Sequence, residues 1–218
     1  MTDIHFHRSV DTFSAVDGKE FRFFGVHPWN ADNINIESEI KALRSVLAAN
    51  PSYGVGEIGL DKLKFKKVSE QQREVFAAQL ELASEMGRPV VLHGAKCWGE
   101  VVKMIRPYAC KIPAFLFHGF SRSDGLLQEI AEVNGFVGVG KAVLNDHAVN
   151  YRELVRKLPK DRLVVETDYD GDSFEEQKAL SDSIFEKVES LTSLDKSRIT
   201  ANAVSFLKYL SDETSGVV

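Results

Sequence analysis

The chain has 218 residues, 44% hydrophobic and 27% charged, with 27 Lys and Arg against 32 Asp and Glu for a formal charge of −5. These values exclude a disordered or fibrous chain, and they exclude a surface that grips nucleic acid everywhere, though not one local basic patch. The length suits one domain over residues 1–218 with a substantial core. No apolar run reaches membrane-spanning length and the N-terminus lacks a signal-peptide pattern. Cys97 and Cys110 form no close metal or redox motif, so reduced thiols and a cytoplasmic location are expected.

Taken in order, short apolar runs alternate with helical patterns. Residues 2–7 form the first predicted strand. Its alternation puts His5 and His7 on one face and Ile4 and Phe6 on the other, so the strand separates a polar pocket from an apolar layer. Residues 21–26 are a second strand, ending in His27-Pro28-Trp29. Residues 33–49 have helical spacing, with Ile36, Ile40, Leu43, Val46 and Leu47 as the stripe and Asn50-Pro51 as the stop. Residues 53–58 are the third strand; Ser69 then caps a helix to about Met86 that Gly87 closes. Strand and helix recur at 89–93 with 97–106, 114–118 with 123–133, 135–140 with 147–158 and 163–168 with 174–191, before a last helix over roughly 195–210. Seven near-continuous apolar strands alternating with helices imply a parallel sheet covered by helices. A closed (β/α) barrel needs eight strands. The choices are a barrel short of one unit or an open doubly wound sheet. No glycine-rich turn follows the first strand, so a dinucleotide-binding version gains no support.

Most strands end in a residue able to bind a metal: His5 and His7, His27, Glu57, His93, His118 and Asp168. Five of the six histidines lie at strand ends, and only His147 does not. In a parallel barrel those ends form the mouth, where active sites sit. A lone histidine of this kind is ordinarily a core residue with a satisfied hydrogen bond, but repetition argues for a site. Two divalent ions fit this set, with the two oxygens of Glu57 as the natural bridge. Paired ions clamp the attacking and leaving oxygens of a phosphoester and lower the pKa of a bound water. Asp168 can hold an ion or take a proton from that water. The histidines favour Zn or Mn over an all-oxygen Mg cage, although Mg stays open.

The ordered set DIHFH, GVHPW, VGEIGLD, PVVLH, FHGFS and ETD resembles the TatD family of metal-dependent hydrolases and deoxyribonucleases, from residue 3 to about residue 207. GEIGLD is its strongest single piece. The resemblance implies a TIM-type barrel. It implies one ion among His5, His7, Glu57 and Asp168, a second among Glu57, His93 and His118, and His27 close by on substrate or phosphate. It further implies phosphodiester hydrolysis in DNA by a metal-activated water; Glu57 and Asp168 are the candidate catalytic residues.

The chain also departs from that pattern. The stretch between His7 and Gly25 is short for one early β/α unit, which agrees with a barrel reduced to seven strands. The family's Arg two positions after the fourth-strand histidine is Ala95 here, with Lys96 beside it, and its usual proline after ETD-x is Asp170. The run 166–176 holds six acidic residues, which would repel a polyanion. In the other direction, Lys62, Lys64, Lys66 and Lys67 follow the third strand, and with Lys96 and Arg122 they can hold a nucleic-acid backbone. A solvated loop is an equal reading of those lysines. Trp29 and Trp98 are read as packing at the rim, with stacking on a base as the alternative. The expected substrate is DNA or a short oligonucleotide, with no membrane and no obligatory protein partner. A small phosphorylated metabolite, or an amide or ester, is the alternative on the same barrel.

Overall fold

A computed structural model describes residues 1–8, 11–121 and 124–210. Eight strands, β1 (Asp3–Arg8), β2 (Asp11–Val16), β3 (Lys19–Phe24), β4 (Gly54–Asp61), β5 (Val90–Ala95), β6 (Phe115–Phe117), β7 (Gly135–Val139) and β8 (Leu163–Val165), pair in chain order. From β3 to β8 every pair is parallel, while β2 runs antiparallel between β1 and β3. The chain just after β8 closes the ring on β1. The Asp168 amide donates to the His5 carbonyl at 3.0 Å and the His7 amide to the Tyr169 carbonyl at 2.8 Å. The result is a TIM-type α/β barrel.

The seven parallel strands read from the sequence all form, and β2 is an eighth that the reading did not include. It fills the arc left by the missing β/α unit. Its link to β3 is Asp17-Gly18, with φ of 51° and 84° between the paired Val16 and Lys19. Positive φ at both central residues is the type I′ pattern, whose twist matches that of the strands it joins.

Among the described residues seven α-helices, α1 (Ile36–Ala49), α2 (Glu70–Met86), α3 (Trp98–Ile105), α4 (Leu127–Glu132), α5 (Val149–Lys157), α6 (Phe174–Thr192) and α7 (Lys196–Leu207), accompany the strands. Their ends follow local chemistry. Asn35, Ser69, Ser173 and Asp195 cap α1, α2, α6 and α7 through their side chains, and Gly87 ends α2 at φ 62°. Strand alternation splits the core into two layers. Val90, Leu92, Phe115, Phe117, Val137, Val139, Leu163 and Val165 pack outward against the helices. Val91, Leu116, Phe136 and Val164 belong to a second cluster with Phe23 and with Phe206 of α7. The Phe206 ring lies 6.0 Å from Phe23 and 5.8 Å from Phe136, so α7 plugs the end of the barrel opposite the mouth.

Candidate metal centre

Two residues further along each strand, the same face points toward the mouth. Val91 is followed by His93, Leu116 by His118, Phe136 by Gly138 and Val164 by Glu166. A polar layer thus stands directly on the apolar plug. His5 and His7 join it from β1, with Ile4 and Phe6 buried on the opposite face and Phe6 stacked on Phe13. Asp168 joins from the segment that closes the ring. Its φ of 51° lies in the left-handed region, which Asp tolerates better than most residues.

Glu57 is the hub. Its Oε1 lies 2.6 Å from His93 Nδ1 and 3.8 Å from both His27 Nε2 and His118 Nε2, while its Oε2 lies 3.7 Å from His5 Nε2 and 3.8 Å from His7 Nε2. Asp168 Oδ1 lies 3.5 Å from His7 Nε2 and 3.8 Å from the Nε2 of His5 and of His118. Burial works to raise Glu57, but His118, His93 and His5 hold it well below the usual carboxylate range. Burial also pushes Asp168 up, and His7 and His118 reverse this, bringing it to about 2. Burial and the neighbouring His118 drive His5 well below the ordinary imidazole value, and burial lowers His27 to about 4. His118 goes the other way. Burial opposes its charge, yet Glu166 and Glu57 raise it to about 10.

These residues fit a divalent cation. His5 is completely buried and, among the described residues, neither of its ring nitrogens has a hydrogen-bond partner. Such a pair of orphaned polar atoms is costly unless a ligand satisfies them. Three donor groups bring their ligand atoms within 4.8 Å of one another: His5 with His7 and Glu57, His5 with His118 and Asp168, and His27 with Glu57 and His93. All six expected ligands therefore converge. His118 touches the neighbourhood of Asp168 as well as that of Glu57, and His27 stands inside the donor cluster rather than merely beside it. Mixed imidazole and carboxylate donors suit Zn or Mn.

Several supporting residues escaped the sequence reading. Asp61 faces His93 Nε2 at 3.1 Å with the same Oδ2 that accepts from the Trp29 indole at 2.6 Å. Glu166, quoted in ETD and in the acidic run but given no role, is buried behind His118, 3.1 Å from Nδ1 though out of hydrogen-bond alignment, and accepts from the Gly119 amide at 2.8 Å. Gly138 makes room for it, since a Cβ there would meet Glu166 Oε2 at 1.9 Å. Gln79 of α2 brackets Val26, accepting from its amide at 2.6 Å and donating to its carbonyl at 3.1 Å, which fixes the turn carrying His27. Asp3 accepts from the Thr167 amide at 2.9 Å, the Thr167 hydroxyl at 2.6 Å and Gln177 at 2.7 Å, and so holds the segment that carries Asp168. The GLD of GEIGLD, the ETD and the DIHFH were signals for Asp61, Glu166 and Asp3, without a role for any of them; nothing local marks Gln79 or Gly138.

At the rim, Lys62, Lys64, Lys66, Lys67 and Lys96 are exposed, and Lys62, Leu63, Lys66 and Lys96 line an open groove of about 490 Å³. Lys64 instead lies over the Trp29 ring, 3.9 Å from its centroid. Arg122 lies outside the described residues. Trp98 is buried against Phe117 and Phe120, as expected of packing, whereas Trp29 is 49% exposed and does not pack away. Asp170, Asp172, Glu175 and Glu176 are exposed. Among the described residues no helix is long and apolar enough to cross a membrane.

The profile of the TatD related DNase family matches residues 2–205. The chain is 32% identical over 146 residues to the 3'-5' ssDNA/RNA exonuclease TatD of Klebsiella pneumoniae, covering 66% of this chain and 55% of that protein. It is 28% identical over 144 residues to the uncharacterized metal-dependent hydrolase YabD of Bacillus subtilis, covering 66% and 56%. The chain thus spans about half the length of the curated relatives it matches. Among solved structures, the TatD homolog YJJV from Escherichia coli superposes with a TM-score of 0.71 at 23% identity, over 87% of this chain and 76% of that one. An uncharacterized amidohydrolase from Saccharomyces cerevisiae reaches 0.69 at 15% identity, over 88% and 80%. These two likenesses concern the fold; the profile match over nearly the whole sequence carries the assignment, and the chain belongs to the TatD related DNase family.

Proposed function

We propose that this chain is a metal-dependent hydrolase of phosphodiester bonds in nucleic acid, DNA or short oligonucleotides, acting as a single domain over residues 1–218. The observation that carries this reading is His5, wholly buried with two unpartnered ring nitrogens beside a carboxylate that five histidines approach. His5, His7, Glu57 and Asp168 would hold one divalent ion, and Glu57, His93 and His118 a second, with Glu57 shared and His27 facing the substrate. Bound ions of this kind polarise a phosphoryl oxygen and lower the pKa of water. The protein's own groups do the rest. Glu57 fixes the spacing of the cluster, Asp168, on the more open side, accepts a proton from the attacking water, and Lys62, Lys64 and Lys96 bind backbone phosphates, with Arg122 a further candidate. The two free thiols suit a reducing, cytoplasmic setting.

The first experiment is metal content together with oligonucleotide cleavage, for wild type and Glu57→Ala, with and without chelator. Two equivalents of Zn or Mn, and cleavage that disappears on chelation and in the variant, is the expected result. A protein that binds no metal would overturn the reading. The exposed carboxylates of residues 170–176 favour a second reading, a small phosphorylated substrate with less charge to repel. Metal-dependent turnover of small phosphoesters with oligonucleotides untouched would select it.

A further inference from the structure

We propose that Trp29 is the floor of a nucleobase subsite beside the metal centre, so that the base as well as the phosphate of the substrate is gripped. This rests on the phosphodiesterase reading and adds what recognises the substrate. The chain has two tryptophans. Trp98 is 2% exposed and Trp29 49%. Large exposed aromatics are unusual unless something covers them, and Trp29 is not alone. Leu63 at 57% and Phe65 at 36% join it among the described exposed hydrophobics, on the adjacent loop after β4.

The indole is held rigidly. Its N–H donates to Asp61 at 2.6 Å, and the same carboxylate oxygen lies 3.1 Å from His93. The ring centroid lies 4.8 Å from that of His27 and 6.3 Å from that of His93. A base stacked on Trp29 therefore has its own phosphate within a nucleotide's reach of the cluster. The neighbouring groove is lined by Lys62, Lys66 and Lys96, none of which forms an ion pair among the described residues. Aromatic shelves flanked by unpaired cations bind single strands through every base's π-face, with little sequence preference. A base inside a duplex is already covered on both faces and cannot use the shelf.

Lys64 lies over the indole, its ammonium 3.9 Å from that centroid and 5.7 Å from the centroid of the Phe65 ring. An exposed cation–π contact is worth about 2- to 5-fold in a binding constant, and base stacking about 5- to 150-fold. An arriving base displaces the ammonium, which is then free to meet a phosphate.

The test uses the full chain with chelator present, so that binding is read without turnover. A labelled single-stranded oligonucleotide, the same strand with an abasic terminal residue, and a blunt duplex are titrated by anisotropy, alongside intrinsic tryptophan emission. Because Trp98 is buried, Trp29 supplies the quenchable signal. The expected result is tighter binding and stronger quenching with the intact strand than with the abasic strand or the duplex. Trp29→Ala then weakens the intact strand about 5- to 150-fold and leaves the abasic one unchanged, and Trp29→Phe restores most of the loss. Equal wild-type affinity for intact and abasic strands, or an unaltered Trp29→Ala, would overturn the subsite. Metal-dependent cleavage that persists in that case leaves the phosphodiesterase reading standing. If wild type binds no strand and cleaves none when metal is restored, both readings fall together.

Discussion

Glu166 shows how much of this site is carried by single residues behind the donors. It is 1% exposed, and among the described residues its one aligned donor is the Gly119 amide. His118 presents Nε2 to Glu57 and Asp168 at 3.8 Å and Nδ1 to Glu166 at 3.1 Å. A carboxylate this close to the far nitrogen favours a proton there by its charge and so leaves the near nitrogen to face a metal; losing an outer partner of a metal-binding histidine typically lowers metal affinity 10- to 100-fold. Glu166→Gln keeps the shape and the acceptor for Gly119 but removes the charge. The expected outcome is weaker Zn or Mn binding by about 10- to 100-fold in calorimetric titration, with an unchanged circular dichroism spectrum. The same scale decides thiol chemistry. Burial pushes Cys97 up to about 11, and its Sγ contacts the Leu60 carbonyl at 3.2 Å. Only the thiolate reacts, and Cys97 gains it only as the pH rises toward 11. At pH 8 a thiol reagent should modify the exposed Cys110 rapidly and Cys97 only after denaturation. Two rapid equivalents in the native protein would contradict this.

Among the elements, β2 and α2 position the site without contributing a donor to it. The β2–β3 turn depends on Gly18 at φ 84°, where a β-branched residue is strained by about 1–2 kcal/mol. Gly18→Val should lower the unfolding free energy measured in urea by that amount without changing metal affinity. The turn was legible in principle, since Asp-Gly between extended runs is a strong hairpin signal. β2 was not legible because its pattern is inverted. Thr12 and Ser14 are buried, Ser14 donating to the Ile4 carbonyl at 2.5 Å, whereas Phe13 is only half-buried. The limits of α2 were readable from Ser69 and Gly87, but its role was not. Gln72 and Gln79 look like solvent positions in a helix, yet both are buried and turn their amides onto the backbone of Asp61 and Val26. Gln79→Leu strips both Val26 groups of their partner and should cost about 1–3 kcal/mol in urea denaturation. It should also weaken oligonucleotide binding, because the His27–Trp29 turn loses its anchor.

At the scale of the whole molecule, the barrel converts a pattern that is local in sequence into a cluster that is local in space. The strand-end histidines could be found from the sequence because parallel strands of common direction deliver their C-terminal ends to one mouth. The roles of Asp61 and Glu166 could not, although GEIGLD and ETD contain them, because their partners His93 and His118 lie on other strands and no spacing encodes that contact. The same closure couples the centre to global stability. β1 carries His5 and His7 and seals the ring against residues 168–170. A cation gripped by His5, His7 and Asp168 therefore ties together the first and last segments of the barrel. A ligand that binds only the folded state at 100 times its Kd adds about 2.7 kcal/mol, and a domain of this size shifts about 2–4 °C per kcal/mol. Chelation should then lower the melting temperature by about 5–11 °C. Glu57→Ala should erase most of that difference by removing the carboxylate shared by two of the three donor groups. A wild-type melting temperature indifferent to both Zn and chelator would mean that the orphaned nitrogens of His5 are not there to hold a cation.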